Sequence, residues 1–574
     1  MISDGAGHTV FLFSGIYACG EGGICMKKKI ISSVLTGGLA VVLAACAAAG
    51  GGAGAEPKTA PMKEKQAVTA GYYDINRVSV HDPSIAKDMD TGTYYVFGSH
   101  LATAKSEDLV NWTQITADYK NTDNNPIYGN LAENLAESFE WAGHNDGDCL
   151  GGFAVWAPDV HWFDEYEWED GSKGAYLLYY SASSTWRRSC IGFAASKTIE
   201  GPYAYVDTLI YSGITADGTP DGSSNRNTKW DNDYLNFSEL IEKGSANGGI
   251  DEVNEKWFKG SEYNTDYAPN AIDPTIIQGA DEKMYMVYGS WSGGLFVLEV
   301  DPKTGRVLYP GKDSADETSG NYIDRYYGCH IAGANHQSGE GPYILYDEEA
   351  GYYYLYETYG ALQRKGGYNM RLFRSENITG PYVDAAGGKA ANNGVDNFKY
   401  GIKLVGNYAF TDQRGYRSAG HNSALIDGDG SRYLIYHQRF DEGTEYHEVR
   451  VHQQFLNEDK WPVTAVYENR NEAIANYTDD QAAGSYELIN HSTGNETYML
   501  KAQAVELKAD GTVAGDLTGS WTKTDSGKGY DYITIEAGDV VYKGMFFEQT
   551  DDNGEKVMTF SAIGDDNTCI WGSM

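Results

Sequence analysis

The sequence is poor in basic residues: its 44 Lys and Arg face 81 Asp and Glu, for a formal charge of −37. Such a chain repels phosphates, which excludes nucleic acid as a partner, and the same repulsion argues against a polyanionic polymer such as polygalacturonate. A neutral polymer is compatible with it, although acidity also simply keeps an exported protein soluble. Cysteine is sparse, with seven in all, two of them before Met26 and one at Cys46. The other four, Cys149, Cys190, Cys329 and Cys569, match no metal-binding spacing. Cys149 and Cys190 read either as a disulfide, allowed in an exported protein, or as buried free thiols. Long amphipathic helical patterns are missing, and no apolar run reaches the about 20 residues that a membrane-spanning helix needs.

What is present begins near the N-terminus. Lys27, Lys28 and Lys29 precede an apolar run from Ile30 to Ala45 that ends at Cys46, the layout of an export signal over 26–46. Leu43-Ala44-Ala45-Cys46 resembles a bacterial lipobox, which makes Cys46 the mature, lipid-bearing N-terminus and the lipid the sole membrane contact of an extracellular, cell-surface lipoprotein. An uncleaved anchor is the plainer alternative. Residues 1–25 fit neither pattern and read as an upstream extension before a start at Met26. The Gly-, Ala- and Lys-rich stretch over 47–70 reads as a flexible tether.

Beyond residue 70 the chain is a succession of short Tyr-, Val- and Ile-rich runs separated by Gly, Asp and Asn, the pattern of an all-β protein. Five segments repeat one layout, a polar turn, an Asp/Gly turn and an aromatic strand: HDPSIAKDMDTGTYYVFGS from His81, APDVHWF through GAYLLYYSAS from Ala157, IDPTIIQGADEKMYMVYGS from Ile272, EGPYILYDEEAGYYYLYETYG from Glu340 and GHNSALIDGDGSRYLIYHQRF from Gly420. Radial repetition of this kind predicts a five-bladed β-propeller over 71–470, with unit starts at Asp82, Asp159, Asp273, Glu340 and His421. An insertion near 210–266 reads as a long ordered loop over one propeller face. Strand-like runs from Tyr498 to Leu507, Tyr532 to Glu536, Val540 to Glu548 and Val557 to Ile563 predict a small C-terminal β-barrel or sandwich over 475–574.

The first strand of each propeller blade lines the axis, so Asp82, Asp273, Glu340 and His421 are expected to meet there. Several carboxylates in one place suit glycosidic cleavage, which needs one acid to protonate the leaving oxygen and one carboxylate to activate water or attack carbon. Taken singly, an Asp before Pro at a strand start is a turn cap, and a lone His in a turn is a structural hydrogen-bonding residue. Asp159 reads as a cap of its strand.

His81-Asp-Pro-Ser84, Trp156-Ala-Pro-Asp-Val160, Asn270-Ala-Ile-Asp-Pro274, Tyr288-Gly-Ser-Trp-Ser-Gly-Gly294, Glu340-Gly-Pro-Tyr343 and Gly420-His-Asn-Ser423 together resemble glycoside hydrolase family 43, and most resemble its two-domain extracellular endo-α-1,5-L-arabinanases. The resemblance spans about 75–465 and extends more weakly into the tail. It implies an inverting hydrolase of arabinan that acts as a monomer, with Asp82 as general base, Glu340 as general acid and Asp273 orienting the acid. It also implies a largely water-ligated calcium ion near His421, and sugar contacts at His81, Trp156, Trp186, Asn270, Ala271, Ile272, Ser290, Trp291 and Ser292. For Trp156 and Trp186 the plainer reading is blade packing, and for Asn270, Ser290, Trp291 and Ser292 it is turn hydrogen bonding. Two alternatives stand beside the endo enzyme: an exo-acting arabinofuranosidase or xylosidase of the same fold, and a catalytically silent surface propeller that binds glycan.

Overall fold

The five repeated segments form five antiparallel sheets. A computed structural model describes residues 58–117, 125–143, 154–183, 188–218, 227–391 and 396–574. Strand makes up 45% and helix 7%, which fixes the class as all-β. The aromatic runs explain the strands. Tyr94–Phe97 and Met284–Tyr288 are buried throughout, as continuous β-branched and aromatic runs are when both faces of a sheet are covered. The longest helices among the described residues, Ala136–Ala142 and Phe237–Lys243, have seven residues each.

The first sheet runs from Ser84–Lys87 to Trp112–Thr116, and the second from Ala154–Glu167 to Ala204–Ser212, each a four-stranded meander in chain order. The third begins at Thr275–Gln278 and carries extra short strands beyond its edge. The fourth spans Glu340–Asp347 to Ile402–Lys403, and the fifth has Tyr416–Ile426 as an inner strand. The sheets lie in a propeller-like arrangement of four blades, followed by a closed eight-stranded barrel.

Superposing the innermost strands by register corrects the expected unit starts. The aligned tetrapeptides are Asp82-Pro-Ser-Ile85, Ala157-Pro-Asp-Val160, Asp273-Pro-Thr-Ile276, Gly341-Pro-Tyr-Ile344 and His421-Asn-Ser-Ala424. The leading residue has a left-handed backbone in every one: φ is 55° at Asp82, 33° at Ala157, 58° at Asp273, 58° at Gly341 and 49° at His421. Non-glycine residues avoid this region, and a following proline restricts the backbone further, so the conformation needs support from outside. It comes from the neighbouring sheet. A hydroxyl near the end of one sheet's second strand accepts the main-chain N–H of the next sheet's left-handed residue: Ser99 from Ala157, Ser181 from Asp273 and Thr358 from His421, each at 2.9 Å.

Asp159 therefore does not share the row of Asp82; it lies two residues beyond it. It accepts from the Ser84 hydroxyl of the first sheet and, at 2.7 Å, from Ile276 N of the third, so the expected cap is a brace between sheets. Thr275 Oγ1 donates to Pro342 O at 2.9 Å, and Ser423 Oγ donates to Pro83 O at 2.7 Å while accepting from Ile85 N at 3.0 Å.

Three further expectations are refined. The stretch expected as tether is anchored from residue 58 onward: Lys58 pairs with Asp90 at 2.5 Å, Lys65 with Asp427 at 2.6 Å, and Val68 N donates to Arg470 O at 2.8 Å. The insertion, where described, is not a bare loop on a face. It buries Phe237 and Trp257 in the large core that also holds strands of the second and third sheets, and Trp257 Nε1 donates to Asp324 at 2.8 Å. The C-terminal region is a barrel, not a sandwich: its first strand, Gly484–Asn490, pairs with its last, Cys569–Ser573. The barrel's connection supplies Leu500–Lys501, which runs parallel to Tyr408–Ala409 at the edge of the fifth sheet. Ile489, Ile563 and Trp571 of the barrel share one core with Tyr408 and Tyr436 of that sheet. Cys190, Cys329 and Cys569 are buried free thiols; Cys149 and Cys46 lie outside the described residues.

Replacing Asp159 by Ala strands the Ile276 N–H and the Ser84 hydroxyl in a buried position, at a cost of roughly 2–4 kcal/mol. The urea unfolding midpoint of Asp159→Ala is expected to fall accordingly, while Asp170→Ala, at an exposed carboxylate, leaves it unchanged.

Candidate active site

Three of the five left-handed residues, Asp82, Asp273 and His421, carry titratable side chains, and Glu340 immediately precedes a fourth. Their shared position at the sheet entries brings them into one charged cluster. His421 Nδ1 lies 3.2 Å from Asp82 Oδ1, and both Asp273 and Glu340 act electrostatically on His421.

Asp82 is buried and heavily supported. Ser99 Oγ donates to its Oδ2 at 2.5 Å, His81 Nδ1 stands 2.8 Å from the same oxygen, and His437 Nδ1 stands 3.5 Å from Oδ1. Burial alone would raise its pKa, but His421, His81 and His437 outweigh it and hold the carboxyl well below the usual range. Asp82 is therefore an anion at neutral pH. Asp273 goes the other way. Burial, reinforced by Glu340 and Asp82 against the pull of His421 and of the Gly341 N–H, pushes it up to about 7. Burial disfavours a charged His421 as well, yet the carboxylates Asp82, Asp273 and Glu340 raise its pKa.

Glu340 is half-buried and held at both oxygens. Tyr368 Oη donates to Oε1 at 2.5 Å and Trp291 Nε1 donates to Oε2 at 2.8 Å. An indole can only donate, so Oε2 is always an acceptor and Oε1, beside a hydroxyl that also accepts, is the oxygen able to carry a proton. Asp273 grips the adjacent peptide, since Gly341 N donates to its Oδ2 at 3.1 Å. Gly341 is required there: a Cβ would meet the His421 ring at 2.8 Å. The arrangement thus holds one anionic carboxylate, Asp82, one raised carboxyl, Asp273, and a third carboxyl, Glu340, whose two oxygens have different donors.

The C-terminal part of this constellation lies inside residues 249–462, which match the sequence profile of glycosyl hydrolases family 43; residues 466–572 match its C-terminal lipocalin-like domain. The chain is 38% identical over 518 residues to the extracellular endo-alpha-(1->5)-L-arabinanase 2 of Bacillus subtilis (strain 168), covering 87% of this chain and 93% of that one. It is 35% identical over 512 residues to the extracellular endo-alpha-(1->5)-L-arabinanase of Thermotoga petrophila, covering 86% and 93%. The chain belongs to glycoside hydrolase family 43. The crystal structure of endo-1,5-alpha-L-arabinanase from Thermotoga petrophila RKU-1 superposes with a TM-score of 0.70 at 33% identity, covering 87% of this chain and 99% of that one.

In this family 43 hydrolase the residues expected to touch sugar are not alike. Trp156 is half-buried, its ring edge-on to His100 at 4.6 Å. Trp291 is half-buried too, in a left-handed turn with φ 50°, and its nitrogen is spent on Glu340. Asn270, Ala271, Ser290 and Ser292 are buried, and Ile272 and His81 are half-buried. Asn270 Oδ1 accepts from Ser212 Oγ, which in turn accepts from Ala271 N at 3.0 Å, so this pair ties the second sheet to the third. Trp186 lies outside the described residues. Sequence reasoning missed Ser99, Tyr368 and His437. Ser99 and His437 sit at the ends of the aromatic strands YYVFGS and YLIYHQRF, where alignment of strand ends would have found them; Tyr368 has no such signal. Among the described residues, one triad of metal-ligating type has its atoms within 4.8 Å, namely His81, Asp82 and His437, and here those atoms face one another.

The raised Asp273 carries a stability cost whose sign is fixed. Its folded-state pKa of about 7 exceeds the unfolded value, so the native state keeps a proton that the unfolded chain releases. Native stability is therefore lost as pH rises from about 4 to 7. Asp273→Asn lacks this penalty. Its stability gain over the native protein in urea is expected to be negligible near pH 4 and to grow to on the order of 2–4 kcal/mol by pH 8.

Proposed function

We propose that this chain is an inverting endo-α-1,5-L-arabinanase that cleaves plant arabinan between internal arabinofuranose units. The observation that carries this reading is the opposed environment of Asp82 and Glu340: the first is kept anionic by three histidines and Ser99, and the second has one oxygen fixed as an acceptor and one able to hold a proton. In the proposed reaction Glu340 gives its proton to the glycosidic oxygen as that bond breaks. Asp82 takes a proton from the water that attacks the anomeric carbon from the opposite face. Such inversion calls for carboxyls about 6.5–9.5 Å apart. Asp273, bonded to the peptide after Glu340, holds the acid in place and, being partly protonated near neutrality, limits the charge around it. Trp156 and Trp291 offer ring faces to the furanose units.

A calcium ion fits this centre by donor chemistry. His421 turns Nδ1 toward Asp82, so its other nitrogen would hold the ion, and the surrounding carboxylates supply negative charge; oxygen ligands that calcium prefers would then come from water. Bound there, the ion would add positive charge beside Glu340 and Asp273.

The propeller is proposed to have five blades. Support comes from the inter-sheet bonds, which run first to second through Ser84 and Asp159, second to third through Asp159 and Ile276, third to fourth through Thr275 and Pro342, fourth to fifth through Thr358 and His421, and back to the first through Ser423 and Pro83. We also propose domains over 71–470 and 475–574, a monomer, and export through 26–46 with a lipid on Cys46.

Product analysis on linear α-1,5-arabinan tests the activity. The purified protein is expected to release short arabino-oligosaccharides, and Glu340→Gln to be slower by about 10²–10⁴-fold. Free arabinose as the sole product establishes the exo-acting reading instead, and binding without cleavage establishes the silent glycan-binding reading. Chelation by EDTA is expected to depress the rate, calcium to restore it, and His421→Ala to abolish that response.

A further inference from the structure

We infer that Arg439 is a positioning residue for the general base, acting through the tautomer of His81, which flanks Asp82; this rests on the assignment of Asp82 as base. Arg439 lies beside the fifth sheet's inner strand with its side chain 3% exposed, and its Nε pairs with Glu445 at 3.2 Å. Its two terminal nitrogens diverge, Nη2 to His81 Nε2 at 3.1 Å and Nη1 to His437 Nε2 at 3.0 Å. The two imidazoles are stacked, with centroids 4.0 Å apart and planes 23° apart, so one guanidinium fork meets both edges.

A guanidinium has donors only and keeps its charge at any working pH. The His81 ring nitrogen it reaches must then be the lone-pair nitrogen, and a neutral imidazole carries its proton on the other. His81 is thereby fixed as the Nδ1–H tautomer, with its proton aimed at Asp82 Oδ2 over 2.8 Å. His437 differs, since its Nδ1 accepts the Asp82 main-chain N–H at 3.2 Å. The His81 N–H and the Ser99 hydroxyl then hold the Asp82 carboxylate in one orientation. In the other tautomer His81 would turn a lone pair toward Oδ2, repelling the carboxylate and releasing its rotation. Buried behind the imidazoles, Arg439 has no role in holding sugar.

Steady-state kinetics on linear α-1,5-arabinan test this with Arg439→Ala, Arg439→Lys and Asp82→Asn, each checked for native-like melting. Arg439→Ala is expected to lose roughly 10–100-fold in kcat with KM within about twofold, and methylguanidinium in the assay to restore part of the loss. Arg439→Lys, which keeps the charge and one donor, is expected to fall between Ala and native, and Asp82→Asn to be inactive and unresponsive to methylguanidinium. A native kcat in Arg439→Ala, a change confined to KM, or absence of rescue in a folded variant overturns the inference while an inactive Asp82→Asn leaves the base assignment standing. An active Asp82→Asn overturns both. Should Arg439→Ala not fold, the Lys variant alone decides: a native kcat overturns the inference, and a reduced kcat at native KM supports it.

Discussion

The structure depends on one repeated constraint, a left-handed residue at the mouth of each sheet whose main-chain N–H is held by a side chain of another sheet. Three of these N–H···O bonds have the same 2.9 Å length. A strained backbone of this sort costs on the order of 1–3 kcal/mol at each non-glycine position and survives only where surrounding structure enforces it. Here the enforcing bonds are also the bonds that join neighbouring sheets, so strain and cohesion reside in the same atoms. The return is geometric. A left-handed residue throws its side chain off the line of its strand, and Asp82, Asp273 and His421 use that departure to face one another.

Glu340 departs from this row by one residue, and the departure explains its surroundings. The left-handed position of its sheet belongs to Gly341, where no side chain fits beneath the His421 ring. Displaced from the row, the Glu340 carboxyl meets Trp291 from the third sheet and Tyr368 from its own, neither of which reaches Asp82. The carboxyls proposed as acid and base are thus given different neighbours by a shift of one position along the strand. Hydrolysis by separated carboxyls needs that difference more than it needs any particular residue type.

Much of this was legible in the sequence. The Asp-Pro, Ala-Pro and Gly-Pro pairs, each followed after a fixed interval by an aromatic run, exposed both the repeat and the residues at its entries. The register within the repeat was not legible, because Asp159 and Glu340 are the polar residues that catch the eye while the aligned positions are Ala157 and Gly341, which carry no chemistry. Support residues were hidden for a related reason. Tyr368 reaches Glu340 from a Gly-rich turn without any pattern, and His437 takes the place that Ser99, Ser181 and Thr358 hold in the other strands but presents an imidazole instead of a hydroxyl. The barrel's closure was hidden too, since pairing of Gly484–Asn490 with Cys569–Ser573 is set by sequence-distant contacts and no local pattern announces it.

The inner strand that follows Asp82 belongs to the first sheet, and the side chains that hold Asp82 on its other flank, His421, His437 and Arg439, belong to the last. The sequence interval between Asp82 and His437 is 355 residues, spanning all the sheets between. On a ribosome the first sheet emerges early and must wait through the making of every later one before its carboxylate, already beside His81, gains His421 and His437. A nascent or truncated chain can thus have most of its sheets formed and still lack the surroundings that keep Asp82 anionic. The surroundings of Asp82 are in this sense completed last, by the contacts between the first sheet and the fifth, and so mark a finished molecule.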